Sequence, residues 1–243
     1  MDRGPSPDKL PPLAPEDKRR YVFSMFGELA PDYDRWNRLI SWGLDRRWRR
    51  KATALLAGCL RVCDLGAGTG DMARALFSQP GFAGEVVAVD PAPALWRTAR
   101  NGALAAEPRC RFAVAEAEHL PLAAGSCDGL MSGFVMRNFF DFDLALRDSA
   151  RILAPGGVGV FLEMGHPANP LWARFFKFYF GRVAPFVAGL FARKPEAYRY
   201  LPASLARFPG QADVRRRFLA NGFSEAEYKE YLGGAIVIYR VTK

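Results

Sequence analysis

Val62-Cys63-Asp64-Leu65-Gly66-Ala67-Gly68-Thr69-Gly70-Asp71 runs from an apolar strand through a glycine-rich turn to the start of a helix. Residues without a Cβ tolerate positive φ and let backbone approach a ligand closely, so Gly66, Ala67, Gly68 and Thr69 are candidate ligand contacts. Spacing narrows the ligand. Dinucleotide-binding turns read GxGxxG or GxGxxA, with a small last residue that packs helix on strand and a helix N-terminus facing a pyrophosphate. Asp71 occupies that last place, which does not suit an anion, and Asp64 and Asp71 together would attract positive charge. Twenty positions beyond Gly70, the apolar run Val86-Val87-Ala88-Val89 ends in Asp90, placed to accept hydrogen bonds from ribose hydroxyls and followed by Pro91. Singly, Asp71 also reads as a helix cap and Asp90 as a turn residue. As a pair at this spacing they indicate a cationic nucleoside. S-adenosylmethionine, which carries a sulfonium and an ammonium, fits.

Outward from this turn, strands and helices alternate: strand 61–65, helix 71–79, strand 85–90, helix 92–106, strands 110–115 and 126–132, helix 142–153, strand 157–163. Such alternation predicts an α/β fold with a mainly parallel sheet covered on both faces. Leu153-Ala154-Pro155-Gly156-Gly157 supplies a helix stop and tight turn before the fifth strand. Helix 211–221 leads to strands 223–231 and 235–241, which join at Gly233-Gly234 as an antiparallel hairpin and bring the sheet to seven strands. The domain reading is therefore a disordered tail over 1–15 and a single domain over 16–243. Within it lie a helical cap (16–56), a cofactor-binding core (57–164), a lid insertion (165–210) and a C-terminal helix and hairpin (211–243). The insertion is rich in phenylalanine, as in Phe175-Phe176-Lys177-Phe178-Tyr179-Phe180, but Arg174, Lys177 and Arg182 interrupt it too often for a membrane span. It reads as a lid over a greasy substrate, as an interfacial helix, or as core.

At 243 residues, half of them hydrophobic, the chain can bury a full core. No early apolar run marks a signal peptide. Cys59, Cys63, Cys110 and Cys127 form no CxxC pair and have no histidine at zinc spacing, so a reduced cytoplasmic protein without a metal is expected. A net charge of +9 implies an acidic partner without choosing between nucleic acid, anionic lipid and protein. Arg46, Arg47, Arg49, Arg50 and Lys51 flank Trp48 as a basic cluster, suited either to an anionic membrane or to a solvated helix face.

Three further segments carry a family likeness: Tyr33-Asp34-Arg35-Trp36-Asn37-Arg38-Leu39-Ile40-Ser41 running on to Asp45-Arg46-Arg47-Trp48, Phe134-Val135-Met136-Arg137-Asn138, and Arg151-Ile152-Leu153-Ala154-Pro155-Gly156-Gly157 through Leu162-Glu163. With the glycine turn, and with Tyr200-Leu201-Pro202-Ala203-Ser204-Leu205 and Gly233-Gly234-Ala235-Ile236-Val237, the chain from about residue 20 onward resembles the ubiquinone/menaquinone biosynthesis C-methyltransferases. That resemblance implies a Rossmann-like class I methyltransferase fold. It departs from the family pattern at Asp45 (a histidine in the signature), Gly133 (a serine, with Ser132 one step earlier), Val135 (a glycine), Glu116 (Asp or Asn) and Gly165 (a serine).

The resemblance implies methyl transfer from S-adenosylmethionine to a ring carbon of a demethylated isoprenoid quinol, either a demethylmenaquinol or a ubiquinol precursor. A phenol-like hydroxyl titrates near ~10, so the enzyme must stabilise a phenolate and align the ring carbon with the methyl group. Arg137 is expected to stabilise an oxyanion and orient a water, Asn138 to hold a ring oxygen or the methionine carboxylate, and His166 to act as a base. Capping and ion pairing compete for the first two, and a structural role for His166. For the cofactor, Thr69 would bind the carboxylate, Asp90 the ribose, and Glu116 or the Ala117 N–H the adenine. Gly133 would line the site and Tyr33 would cover it, unless Tyr33 is ordinary helix packing. Transient contact with an anionic membrane, peripheral on the inner face, is expected, and a homodimer is left open. The absence of an RNA-binding module argues against a nucleic-acid substrate. Methylation of another small aromatic or lipid acceptor, and cofactor or quinone binding without catalysis, remain the competing functions.

Overall fold

The central strands form because their residues are buried on both faces. β1 (Arg61–Leu65) and β2 (Glu85–Val89) are almost continuously apolar and buried, the signature of strands inside a parallel sheet with helices on each side. The computed structural model describes residues 38–100, 104, 106–183 and 204–243. The 1–15 tail, Tyr33 and most of the 16–56 cap lie outside the described residues, as do 184–203 of the insertion with its Tyr200-Leu201-Pro202-Ala203.

In chain order the other elements are α1 (Asp45–Thr53), α2 (Asp71–Phe77), α3 (Pro93–Arg100), β3 (Cys110–Ala113), β4 (Cys127–Gly133), α4 (Phe142–Ile152), β5 (Leu153–Met164), α5 (Pro170–Phe178), α6 (Gln211–Ala220), β6 (Glu225–Tyr231) and β7 (Ile236–Thr242). α1 precedes β1, α2 lies between β1 and β2, and α3 between β2 and β3. The seven strands lie in the order β3-β2-β1-β4-β5-β7-β6. All run parallel except β7, which is antiparallel to both neighbours, from Val158↔Thr242 to Met164↔Ile236 against β5. Alternate residues feed two cores. Val62, Met131 and Val160 join Trp48, Met72, Leu76 and Trp96 of α1, α2 and α3 on one face. Cys63, Leu130 and Phe161 join Leu146 of α4 and Val214 and Phe218 of α6 on the other.

The expected elements are present with shifted ends. The third strand stops at Ala113 instead of 115, because Val114 turns outward, and residues 115–118 become a cavity wall. The helix expected over 92–106 is described over Pro93–Arg100 as α3, and Leu104 is buried against the first core. At the helix stop after α4, Leu153 already pairs with Cys127 while Val158 pairs with Gly129. Residues 154–157 therefore bulge out opposite Asp128, with Gly156 at φ +78°. The reversal of order at β1 and β4 is the topological switch point, and the carboxyl ends of these strands are where a ligand is expected.

Candidate active site

The turn after β1 is held open by backbone and one carboxylate. Gly66, Gly68 and Gly70 have φ of +68°, +54° and +81°, conformations that L side chains rarely adopt. The Gly66 and Ala67 N–H groups donate to the Val89 carbonyl at 2.8 and 3.1 Å. Asp90 accepts from the Gly68 N–H through Oδ2 and from the Ala92 N–H through Oδ1, both at 2.8 Å, and so ties the β1 turn to the β2 turn. Between these turns and residues 115–118 lies a cleft walled by Gly66, Ala67, Gly68, Thr69, Asp90, Pro91, Glu116, Ala117, Gly133 and Asn138. Ten of the sequence-predicted residues thus meet in one cavity.

Asp64 lies beneath the turn, fully buried and outside the cavity wall. Its Oδ2 accepts from the Ala73 N–H at 3.2 Å, and its Oδ1 has no hydrogen-bond partner. Burial pushes its carboxyl from the ordinary 3.8 to about 7, with the Arg49 guanidinium and the Ala73 N–H pulling back. Burial likewise raises Asp90 to about 6, against its two backbone donors. Asp64, expected from the sequence to contact the cofactor, thus lends negative charge from beneath the turn and does not reach the cavity, whereas Asp90, in the wall, fits the ribose of S-adenosylmethionine.

A pH dependence follows. Asp90 accepts the ribose hydroxyls best as a carboxylate, so affinity for S-adenosylmethionine should strengthen as pH rises through 6, by about fourfold between pH 5.5 and 8. For the free protein the sign is opposite. Folded-state values above the unfolded 3.8 contribute stability that is present below that value and lost as pH rises through 6 and 7. Calorimetric titration and denaturant unfolding across this range check the two halves.

A second cavity of about 340 Å³ opens beside the first, walled mostly by Trp48, Met164, Trp172, Phe176, Phe180 and Ile236, with Arg137 and Asp45 among its few polar groups. Arg49 and Phe134 line both cavities. Phe134 has φ +65°, a left-handed backbone that costs a bulky residue on the order of 1–2 kcal/mol. It is held by its N–H donating to the Leu162 carbonyl at 2.7 Å and by the Arg49 guanidinium 5.2 Å from its ring centroid.

The Arg137-Asn138 pair divides between the cavities, Asn138 facing the first and Arg137 the second. Arg137 Nη1 forms a very short ion pair with Glu163 Oε1, and the Arg137 N–H donates to Oε2 at 3.3 Å. Both side chains are buried, and Arg137 Nε has no hydrogen-bond partner. His166 reaches neither cavity. Its Nε2 lies 2.8 Å from the Phe208 carbonyl, an arrangement in which the nitrogen donates, and its N–H points to Gln211 Oε1 at 3.3 Å.

The basic cluster divides by helical periodicity. Arg46, Arg47, Arg50 and Lys51 are exposed, while Trp48 and Arg49 face inward. Arg49 lies 3.6 Å from Asp71, which is also paired with Arg74, and 3.9 Å from Asp45. The i, i+4 spacing of Asp45 and Arg49 was a legible signal, obscured by four neighbouring exposed cations. Glu118 is a second residue missed from sequence. It is buried and accepts from the Phe140 and Asp141 N–H groups at 2.7 and 3.1 Å, bracing the cleft wall. Two departures from the family pattern have steric reasons. A Cβ on Gly133 would come within 2.9 Å of Arg49 Nη1, and one on Gly165 within 2.5 Å of the Gly234 carbonyl oxygen. Ser132 turns into the core and donates to the Leu65 carbonyl at 2.9 Å.

The seven-stranded sheet with one reversed strand, and the carboxylate-tied glycine turn at its switch point, define a class I S-adenosylmethionine-dependent methyltransferase. The fold is shared with human N-acetylserotonin methyltransferase solved with S-adenosylmethionine (TM-score 0.64, 19% identity, 95% of this chain and 60% of that one). It is shared as well with a Thermotoga maritima methyltransferase described as a possible histamine N-methyltransferase (TM-score 0.62, 20% identity, 91% of this chain and 99% of that one). Within the class, residues 14–243 match the ubiE/COQ5 methyltransferase family, and the chain belongs to it. It is 43% identical over 203 residues to the demethylmenaquinone methyltransferase of Thermus thermophilus, covering 82% of this chain and 91% of the relative. Identity is 38% over 217 residues to a ubiquinone/menaquinone biosynthesis C-methyltransferase of Syntrophotalea carbinolica, covering 88% and 91%.

Proposed function

We propose that this enzyme methylates a ring carbon of a demethylated isoprenoid quinol, of the demethylmenaquinol or ubiquinol-precursor type. The observation that carries the reading is the pairing of a cleft framed by the glycine turn and Asp90 with a larger, more apolar cavity through a shared wall of Arg49 and Phe134. S-adenosylmethionine supplies an electrophilic methyl group. In the first cavity Asp90 binds the ribose hydroxyls, and Thr69 and Asn138 meet the methionine carboxylate, while Asp64 adds negative charge from beneath the turn without touching the donor. Glu116 and the Ala117 N–H face the adenine, and Gly133 and Pro91 complete the wall. In the second, Arg137 is fixed by Glu163 and stabilises the ring oxyanion, while the aromatic walls exclude water and strengthen that charge interaction. His166 serves the fold, because its ring nitrogen is engaged by the Phe208 carbonyl.

Residues 57–164 hold the cofactor, and α5 with the turn Tyr179–Val183 covers the acceptor cavity as the start of the lid. No helix among the described residues is long and apolar enough to cross a membrane. Trp42, Phe175 and Leu232 line the acceptor cavity and are 81%, 55% and 47% exposed, so its mouth is apolar. The exposed Arg46, Arg47, Arg50, Lys51, Arg174 and Lys177 belong to the α1 and α5 segments beside it. These features support transient docking on an anionic bilayer, from which the quinol enters.

The test is mass spectrometry of lipid quinones from cells lacking the protein, with accumulation of a species lighter by one methyl group expected. Purified enzyme should methylate that species faster in anionic than in neutral vesicles. An unchanged quinone pool would overturn the reading.

A further inference from the structure

Adding a methyl cation to a ring carbon releases one proton overall, and a group in the acceptor cavity must take it. We propose that Asp45 is that group, the catalytic base that accepts the quinol hydroxyl proton. This rests on the acceptor cavity being the quinol site.

The lining of that cavity leaves few choices. Both histidines of the chain are placed elsewhere, His119 exposed and His166 on the Phe208 carbonyl. Arg49 and Arg137 have no acceptor atom and stay protonated. Tyr179 is already committed, because its hydroxyl donates to the Ile40 carbonyl at 3.1 Å and accepts from Trp42 Nε1 at 3.0 Å. Among the described lining residues Asp45 is the single carboxylate.

Asp45 is built in place rather than solvated. It is 4% exposed at the first turn of α1, its Oδ1 accepts from Ser41 Oγ at 2.9 Å, and its Oδ2 lies 3.9 Å from Arg49 Nε. A carboxylate offers about four lone-pair sites, so these contacts leave capacity for a hydroxyl. Arg49, one helical turn further, lines both cavities, and Asp45 lies on the acceptor side of it. The charged and titratable groups facing it are Arg49 on its own helix, Arg137 after β4 and Tyr179 after α5.

The step balances. The hydroxyl O–H proton passes to the Asp45 carboxylate, and the electron pair left on oxygen conjugates to the ring carbon. That carbon forms the new bond to the methyl group while the C–S pair stays on sulfur, which becomes a neutral thioether. The ring C–H proton then leaves and an oxygen regains one, restoring the aromatic quinol. Asp45 releases the one surplus proton to water.

The test compares the wild type with Asp45→Asn and Asp45→Glu. Loss of a general base predicts about 10²–10⁴-fold lower kcat in Asp45→Asn, with affinity for S-adenosylmethionine within about threefold of wild type and partial rescue in Asp45→Glu. Turnover by Asp45→Asn should climb with pH toward the hydroxyl's own ionisation while the wild type levels off. A second readout needs no methyl donor. An alkylnaphthol should bind the wild type about tenfold more tightly than the matched alkylnaphthalene, a preference largely lost in Asp45→Asn, because hydrogen bonds to charged acceptors exceed neutral ones. If the wild type methylates a quinol and Asp45→Asn keeps its kcat and its naphthol preference, the assignment of Asp45 fails while the functional reading stands. If the wild type methylates no quinol, both fall. Wild-type thermal stability in Asp45→Asn excludes misfolding, and a loss of folding transfers the decision to Asp45→Glu, whose wild-type pH profile would support the role and whose inactivity with intact naphthol preference would refute it.

Discussion

Arg137→Ala unfolds at markedly lower denaturant than the wild type, losing about 3–5 kcal/mol, and retains no measurable methyl transfer. The size of the effect comes from what remains behind. Glu163 is fully buried on β5, and its Oε1 accepts from both Arg137 and the Met164 N–H, the latter at 2.9 Å. Without the guanidinium, a desolvated carboxylate keeps only two backbone donors. Replacing both partners by apolar residues of similar volume removes the stranded charge, so Arg137→Met/Glu163→Met recovers most of the stability of Arg137→Ala. It recovers no activity if, as proposed, Arg137 is the cation that stabilises the ring oxyanion. Urea unfolding and quinol turnover on the three proteins separate folding from function. A loss under about 1 kcal/mol in Arg137→Ala would mean that the pair is not buried in solution.

The sheet could be read from the chain because each local signal agreed with the next. The buried runs of β1 and β2, the glycine turn between β1 and α2, and Asp90 at the end of β2 all belong to contacts close in sequence, with defined spacings. That ten of the expected site residues wall one cleft at the switch point has the same reason. What could not be read was set by packing between distant segments. Arg49 looked like one cation among five, and only the helical phase that buries Trp48 turns it inward between the cavities. Asp45 looked like a departure from a signature, and its place in the acceptor cavity depends on α5 and the turn Tyr179–Val183 closing over it from more than a hundred residues away. His166 was attractive by residue type, but its hydrogen bond to Phe208, 42 positions downstream, has no sequence signal. The gain of a positive φ at Phe134 was equally silent, because nothing about phenylalanine announces a left-handed backbone.

Gly66→Ala reduces affinity for S-adenosylmethionine by about 100-fold or more, and two separable costs add up to that loss. The first is backbone strain. At φ +68° any side chain is disfavoured by on the order of 1 kcal/mol or more, and the turn relaxes away from the geometry that Asp90 holds. The second is collision. A Cβ at 66 would lie 2.4 Å from Val135 Cγ1 and 2.6 Å from Cγ2, and a short β-branched side chain cannot swing clear. Val135 stands in the wall of the donor cleft, so pushing it aside distorts the cleft. The double variant Gly66→Ala/Val135→Gly removes the collision and leaves the strain, so it binds about tenfold more tightly than Gly66→Ala and still more weakly than the wild type. Gly68→Ala provides the contrast. A Cβ there meets only the Gly66 carbonyl oxygen, at 4.0 Å, so stability falls less than in Gly66→Ala, while affinity falls because the methyl enters space the ligand needs. Calorimetric titration of the four proteins, with thermal unfolding alongside, decides the matter. Equal binding by Gly66→Ala and the wild type would mean that the turn after β1 does not hold the methyl donor, since no cofactor seated on that backbone could tolerate its displacement.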